Sequence, residues 1–211
     1  MEKKHSVIQT RELVLQGIAR KRIPALVNEG KLERISRGLY RWTHAPVTEQ
    51  YNMVLAVKAV PKGILSLLTA LRYYGIGTQN PPVIWMAIPR RSRKPKIDNI
   101  PVRFVSFSGN SITYGVKEIK IDGIPARITD QARTVIDVFR YRNKVGLDVA
   151  LEALKDSLRK KIVTRDQLRK TADVMRVFNV MRPYLEAYSA CGDMLLNDCF
   201  AEQYIDIVYH L

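Results

Sequence analysis

The chain of 211 residues is short of several things, and each shortage removes a class of function. Cysteine is nearly absent: Cys191 and Cys199 are too few for a disulfide framework. They also lack companion Cys or His residues at zinc-site spacing. The three histidines, His5, His44 and His210, lie near the termini or in a linker, so no Ser/His/Asp set forms. There is no glycine-rich phosphate loop, no internal repeat and no low-complexity stretch. No apolar run approaches the roughly 18–20 residues that cross a bilayer. MEKKHSVIQT has no apolar core of the secretory kind, so a cytoplasmic protein without cofactor or metal is expected.

Acid is also scarce. Twenty Asp+Glu stand against 35 Lys+Arg, a net charge of +15. Hydrophobic residues make up 46%, ordinary for a chain with a core, so wholesale disorder is not expected. So basic a surface implies a polyanionic partner, most often nucleic acid. The charge is uneven: residues 1–46 hold 10 basic and 4 acidic side chains, whereas residues 188–211 hold four acids and no Lys or Arg.

The order of elements sharpens this. Thr10 is placed to cap a short helix, RELVLQG, ending at Gly17. A second helix is expected over about 20–29, with Ile23, Leu26 and Val27 on one apolar face and a stop at Gly30. Pro24 predicts a late or irregular start there. KLERISRGLYRW (31–42) reads as a β-hairpin turning at Ser36-Arg37-Gly38, with Tyr40 and Trp42 packing inward. Helix, turn, helix and two-stranded wing is the winged helix-turn-helix order. Arg20, Lys21 and Arg22 fall at the start of the recognition helix. Lys31, Arg34, Arg37 and Arg41 fall on or beside the wing. Clustered cations are usually only a solvated face. The order of elements favours double-stranded DNA as the partner.

Pro46 and the Thr48-Glu49 helix start predict a domain boundary near residue 45. Beyond it, helices are expected over 48–60 and 66–75. Strands are expected over 83–88, 102–107, 116–121 and 124–129, the last two hinged at Asp122-Gly123. A helix capped by Thr129 should run to about Arg142. The stripe Leu147, Leu151, Leu154 and Leu158 predicts the next, and the Thr164/Gln167 capping box a third over 165–180. Strands followed by helices make the fold class α+β: a winged helix over 1–45, a mixed domain over 48–187 and a foreign tail over 188–211.

Three further groups invite functional readings. Arg90, Arg91, Arg93, Lys94 and Lys96 crowd one loop and form a candidate second nucleic-acid patch. Arg133, Asp137, Arg140 and Arg142 share a helix. Structural ion pairing is the favoured reading, and an antitoxin surface the alternative. Glu118 and Lys120 on a strand, with Asp98 upstream, outline a metal-dependent nuclease. Cross-strand charge pairing explains the same pattern, so catalysis ranks last and the protein reads as a non-enzyme.

GKLERISRGLYRW (30–42), SLLTALRYYGIGTQNPPVIWMAIPR (66–90), ARITDQARTVIDVFRYRNKVGLDVALEALKD (126–156) and MRPYLEA (181–187) together resemble the AbiEi family, antitoxins of type IV toxin–antitoxin (abortive-infection) systems. The resemblance covers about residues 7–187 in consistent order. Tyr74 stands where the family often has His, and nine residues precede Thr10 where the family usually carries one more helix. The resemblance implies a DNA-binding autorepressor, seated on inverted repeats in its own promoter. It also implies a nucleotidyltransferase-like toxin as functional partner, not necessarily bound directly. Two copies per operator are expected, because one small winged helix reads few base pairs. A plain winged-helix regulator is the alternative.

Overall fold

The computed structural model of the chain describes residues 7–95, 97 and 100–190. The fold is mixed α+β. The chain divides into two compact units. One comprises residues up to 70 with 80–130. The other comprises 71–79 with the chain from 131 onward. The division does not follow the boundary expected near residue 45.

The first unit opens with β1 (Val7–Gln9), α1 (Thr10–Leu15), a 3-10 turn (Arg20–Arg22), α2 (Ile23–Asn28), β2 (Leu32–Ser36) and β3 (Leu39–Trp42). The strands pair antiparallel in the order β1-β3-β2. β1 goes unnoticed in the sequence because three residues show no alternation. Ile8, Leu13, Ile23, Leu26 and Leu32 form the core of this module. Tyr40 and Trp42 pack against it half-buried, as expected. Thr10 is not the cap of α1. Gln9 is, and its N–H donates to the Glu12 carboxylate at 2.6 Å. The helix starts late and irregularly, as Pro24 predicts: a 3-10 turn fills Arg20–Arg22, and α2 begins at Ile23 with Pro24 in its first turn, where an N–H has no helical partner anyway.

The same unit continues with α3 (Tyr51–Ala59), β4 (Ile64–Leu65), the start of α4 (Leu67–Tyr74), β5 (Ile84–Pro89), β6 (Val102–Phe107), a 3-10 turn (Gly109–Ile112), β7 (Val116–Ile121) and β8 (Ile124–Thr129). The sheet order is β6-β5-β4-β8-β7. β5 lies parallel to β6, and β4 lies parallel to β8 and antiparallel to β5. Ile84–Ile88 are all buried, the unbroken apolar run of a strand covered on both faces. β7 and β8 form the expected hairpin, with positive φ at both Asp122 and Gly123, the demand of a type I′ turn. Thr48 does not cap α3; its hydroxyl donates to Asp122, and Gln50 takes the cap position.

The second unit is helical beyond residue 130: α5 (Gln131–Arg140), α6 (Arg142–Val145), α7 (Leu147–Arg159), α8 (Arg165–Val174) and α9 (Phe178–Ala190). Thr129 ends β8, and α5 begins at Gln131. The leucine stripe of α7 is rotated from the expectation. Val149, Ala150, Ala153, Leu154 and Ser157 face the interior, while Leu147, Leu151 and Leu158 are half-buried. Small side chains allow α5 and α7 to approach closely. The helix expected over 165–180 is two helices, divided where Arg176 takes φ 56°. Its N–H and that of Val177 return to the Asp173 and Ala172 carbonyls, a Schellman end built without glycine. The capping box opens α8 as expected, Gln167 N–H donating to the Thr164 hydroxyl.

Acids on α7 hold the loop that follows α4. The Gly77 N–H donates to Asp156 at 2.8 Å, and the Thr78 N–H donates to Glu152 at 2.8 Å. Burial raises the Asp156 pKa, but Lys160, the Gly77 N–H and Arg159 outweigh it and hold the carboxyl below its ordinary 3.8.

Arg133 and Asp137 make the structural ion pair that their spacing favours, and they are not on a surface, which the alternative antitoxin reading requires. Both side chains are 0% exposed, and Arg133 Nε donates to Asp137 Oδ2 at 2.8 Å one turn apart on α5. Taking either partner away strands a buried charge. Asp137→Ala is therefore expected to cost about 3–5 kcal/mol in urea unfolding. Arg133→Met with Asp137→Leu should recover most of that loss. Equal destabilisation by the single and the double variant would contradict the account.

Candidate nucleic-acid interface

The N-terminal module places its cations through three local devices. The first is the short α2. Its buried residues, Ile23 and Leu26, point to the core, which leaves Arg20, Lys21 and Arg22 exposed at the entry to the helix. Among the described residues, no ion pair or side-chain hydrogen bond engages these three. The second is a bulge in the wing. Leu32, Glu33 and Arg34 pair with Trp42, Arg41 and Tyr40, but Ser36 then pairs with Leu39 and Ile35 is left over. Strict alternation would have set Arg34 on the inward face with Leu32. The bulge turns Ile35 inward instead and leaves Arg34 exposed. The third is the turn Arg37-Gly38. Gly38 takes φ 79°, and its carbonyl accepts from the Thr10 N–H at 2.9 Å. The wing tip is thereby tied to the start of α1, with Arg37 exposed and uncommitted.

Two expected contacts are already spoken for. Lys31 bridges Glu29 at 2.7 Å. Arg41 bridges Glu33 at 2.6 Å across the wing and lies over the Tyr51 ring, 5.8 Å from its centre. Among the described residues Arg20, Lys21, Arg22, Arg34 and Arg37 make no ion pair and remain as the uncommitted set, although the Arg22 charge is felt by Glu29. Arg11 on α1, not singled out in the sequence, is also exposed, and its charge helps to lower the Glu12 pKa.

The module is fixed to α3 by a charged clasp. Lys58 Nζ donates to Glu12 Oε2 at 2.6 Å, with the lysine side chain only 4% exposed. The Gln9 amide donates to the Lys58 carbonyl at 2.8 Å. Partial burial raises the Glu12 pKa. The Lys58 and Gln9 hydrogen bonds and the nearby charges outweigh it and lower the carboxyl below its ordinary 4.5.

Residues 2–43 match the model of a family described as transcriptional regulator, AbiEi antitoxin. The N-terminal module is similar to that family. The match ends one residue past β3, so it covers the helix pair and the wing. A crystal structure of the RV2827C protein from Mycobacterium tuberculosis is similar in fold, with a TM-score of 0.54 at 14% identity. The likeness covers 81% of this chain and 67% of that one. No curated protein matches the chain.

The remaining expected sites are more scattered. Arg90, Arg91, Arg93 and Lys94 are exposed in the crossover between β5 and β6, with no ion-pair partner among the described residues, and Lys96 lies outside those residues. Arg140 is exposed, and Arg142 is not on the same helix: it opens α6 and donates to the Phe139 carbonyl near the end of α5. Glu118 and Lys120 are exposed on β7, Glu118 directly opposite Arg127 on β8. Asp98 lies outside the described residues, as do both cysteines. Among the described residues no group of three or more His, Cys, Asp or Glu could hold a metal ion. No helix among them is long and apolar enough to cross a membrane.

The Glu12 clasp carries a pH dependence of known sign. A carboxyl with a lowered folded-state pKa contributes stability that is present above its unfolded value and lost as pH falls through the folded one. Glu12→Gln should destabilise the protein by about 2 kcal/mol at pH 7, because Lys58 keeps its burial and loses its charged partner. The deficit should shrink as the pH falls below 4.5. A deficit constant from pH 7 to pH 3 in urea titrations would contradict the assignment.

Proposed function

We propose that the chain is a DNA-binding antitoxin and autorepressor of a type IV toxin–antitoxin operon. The observation that carries the reading is the AbiEi-type winged module with Arg20, Lys21, Arg22, Arg34 and Arg37 exposed and uncommitted. B-DNA carries one charge per roughly 1.7 Å of axis, and cations free of internal partners are those able to displace its counterions. In this reading α2 enters the major groove, and the wing meets the backbone or the minor groove. The partner DNA is the inverted repeat of its own promoter, occupied by two copies. The functional counterpart is a nucleotidyltransferase-like toxin, and the site of action is the cytoplasm.

The loop holding Arg90, Arg91, Arg93 and Lys94 supplies a second, sequence-independent backbone contact in this reading. Arg140 is the exposed remainder of the expected antitoxin surface. The protein acts by binding and not by catalysis. Glu118 and Lys120 serve the β7–β8 ladder, where Glu118 faces a cation across the strands.

Mobility shifts on the region upstream of the gene, over a salt series, test the interface. Arg22→Ala with Arg37→Ala should weaken binding and reduce the log–log salt slope by about 2, close to 0.9 for each phosphate no longer neutralised. An unchanged slope would remove these residues from the interface. Antitoxin function is tested by co-expression with the neighbouring nucleotidyltransferase-like gene, where restored growth is expected. Full DNA binding without rescue would leave a plain regulator.

A further inference from the structure

On the exposed side of α2, the side chains that face solvent recur at Lys21, Pro24, Ala25 and Asn28, the spacing of one helical face. The middle of that face is short and uncharged. Its far end is Asn28, exposed and without a side-chain partner among the described residues. Charge lies beside the stripe without occupying its centre: Arg20 and Arg22 flank its start, the Glu29–Lys31 pair follows its far end, and Arg34 and Arg37 are exposed on the wing.

We propose that this stripe is the sequence-reading surface of the module, with Asn28 recognising an adenine and Ala25 the methyl group of a neighbouring thymine. The proposal rests on the DNA-binding reading above and adds which residues read bases. Cations bind the backbone of any sequence, so none of the uncommitted arginines needs to carry specificity. Asparagine presents an acceptor and a donor side by side, the complement of adenine N6 and N7 in the major groove. An alanine methyl offers only van der Waals contact, which suits the thymine C5-methyl. The absence of long side chains at residues 24 and 25 lets the helix seat close to the base edges. Lys21, at the other end of the stripe, is long enough to reach either a guanine edge or a phosphate. The occupant is duplex DNA because the cations beside the start of the stripe, Arg20 and Arg22, make no ion pair among the described residues, and the acid at its far end, Glu29, is already bridged by Lys31.

The test selects from a pool of randomised 20-base-pair duplexes with the full-length protein, its Asn28→Ala and Asn28→Gln variants, and Ala25→Leu. The wild type should enrich a site with fixed A·T pairs. Asn28→Ala should lose the preference at one position by roughly 10- to 100-fold. Its affinity for unselected duplex and its salt slope should stay unchanged. Asn28→Gln should keep adenine at that position, because its amide offers the same pair of groups. Ala25→Leu should weaken binding to the selected site more than to random duplex. Unaltered selection by both Asn28→Ala and Ala25→Leu would overturn the proposal and leave DNA binding intact. So would wild-type binding that enriches nothing. A wild type that binds no duplex at low salt would overturn the DNA-binding reading as well.

Discussion

A domain of under 40 residues, without metal or disulfide, cannot bury enough apolar surface to stand alone. The winged module, from Val7 to Trp42, is of that size. Its small core must therefore be supported from outside, and the Glu12–Lys58 clasp is where the support enters. Glu12 does two things at once: it accepts the N–H that opens α1, and it compensates a lysine that α3 buries. Gln9 repeats the link through its amide. The same argument explains why the compact unit runs through residue 45 without dividing there. A composition shift and a proline mark a change of local structure, and they carry no information about which segments share a core.

How legible each element is in the sequence depends on the length and regularity of its signal. β6, β7 and β8 are legible to the residue because six-residue strands alternate or run apolar, and Asp122-Gly123 satisfies a backbone demand few other pairs meet. β1 and β4, with three and two residues, carry no period to read, yet β4 is the middle strand of its sheet. The break between α8 and α9 is hidden for a different reason. Its left-handed residue is Arg176, and a helix end announces itself in sequence only when glycine fills that position. The rotated face of α7 is a third kind of miss. Leucines draw the stripe, while packing chooses the alanines.

Charge is legible as composition and illegible as commitment. Arg133 and Arg20 are the same residue type in the same basic chain. One lies wholly inside α5's core face against Asp137, and the other stands in water without a partner among the described residues. Spacing alone gives a hint: an Asp four residues after an Arg on a helix pairs with it, whereas Arg20, Lys21 and Arg22 have no acid within one turn on either side. For the wing the hint fails. Glu33 and Arg41 are eight residues apart and meet only because the hairpin register brings them together. The surface available to a polyanion is thus smaller than the net charge implies, and it is concentrated where internal acids cannot reach.

The wing bulge shows how one backbone irregularity separates stability from function. Between Leu32 and Leu39 the hairpin must bury Leu32 and also Ile35, three residues further along the strand. A regular ladder cannot do both, because neighbours on a strand take opposite faces and the next one returns. Adding Ile35 as an extra residue resolves the conflict: the apolar side chain turns to the core, and Arg34 stays in solvent. A variant that shortened the strand by one residue would regularise the pairing and reverse the faces of the residues nearer the turn. The basic turn at Arg37-Gly38 would then lose the register that lets the Gly38 carbonyl receive Thr10. Helix start, wing tip and exposed cations are therefore set by the same few backbone hydrogen bonds.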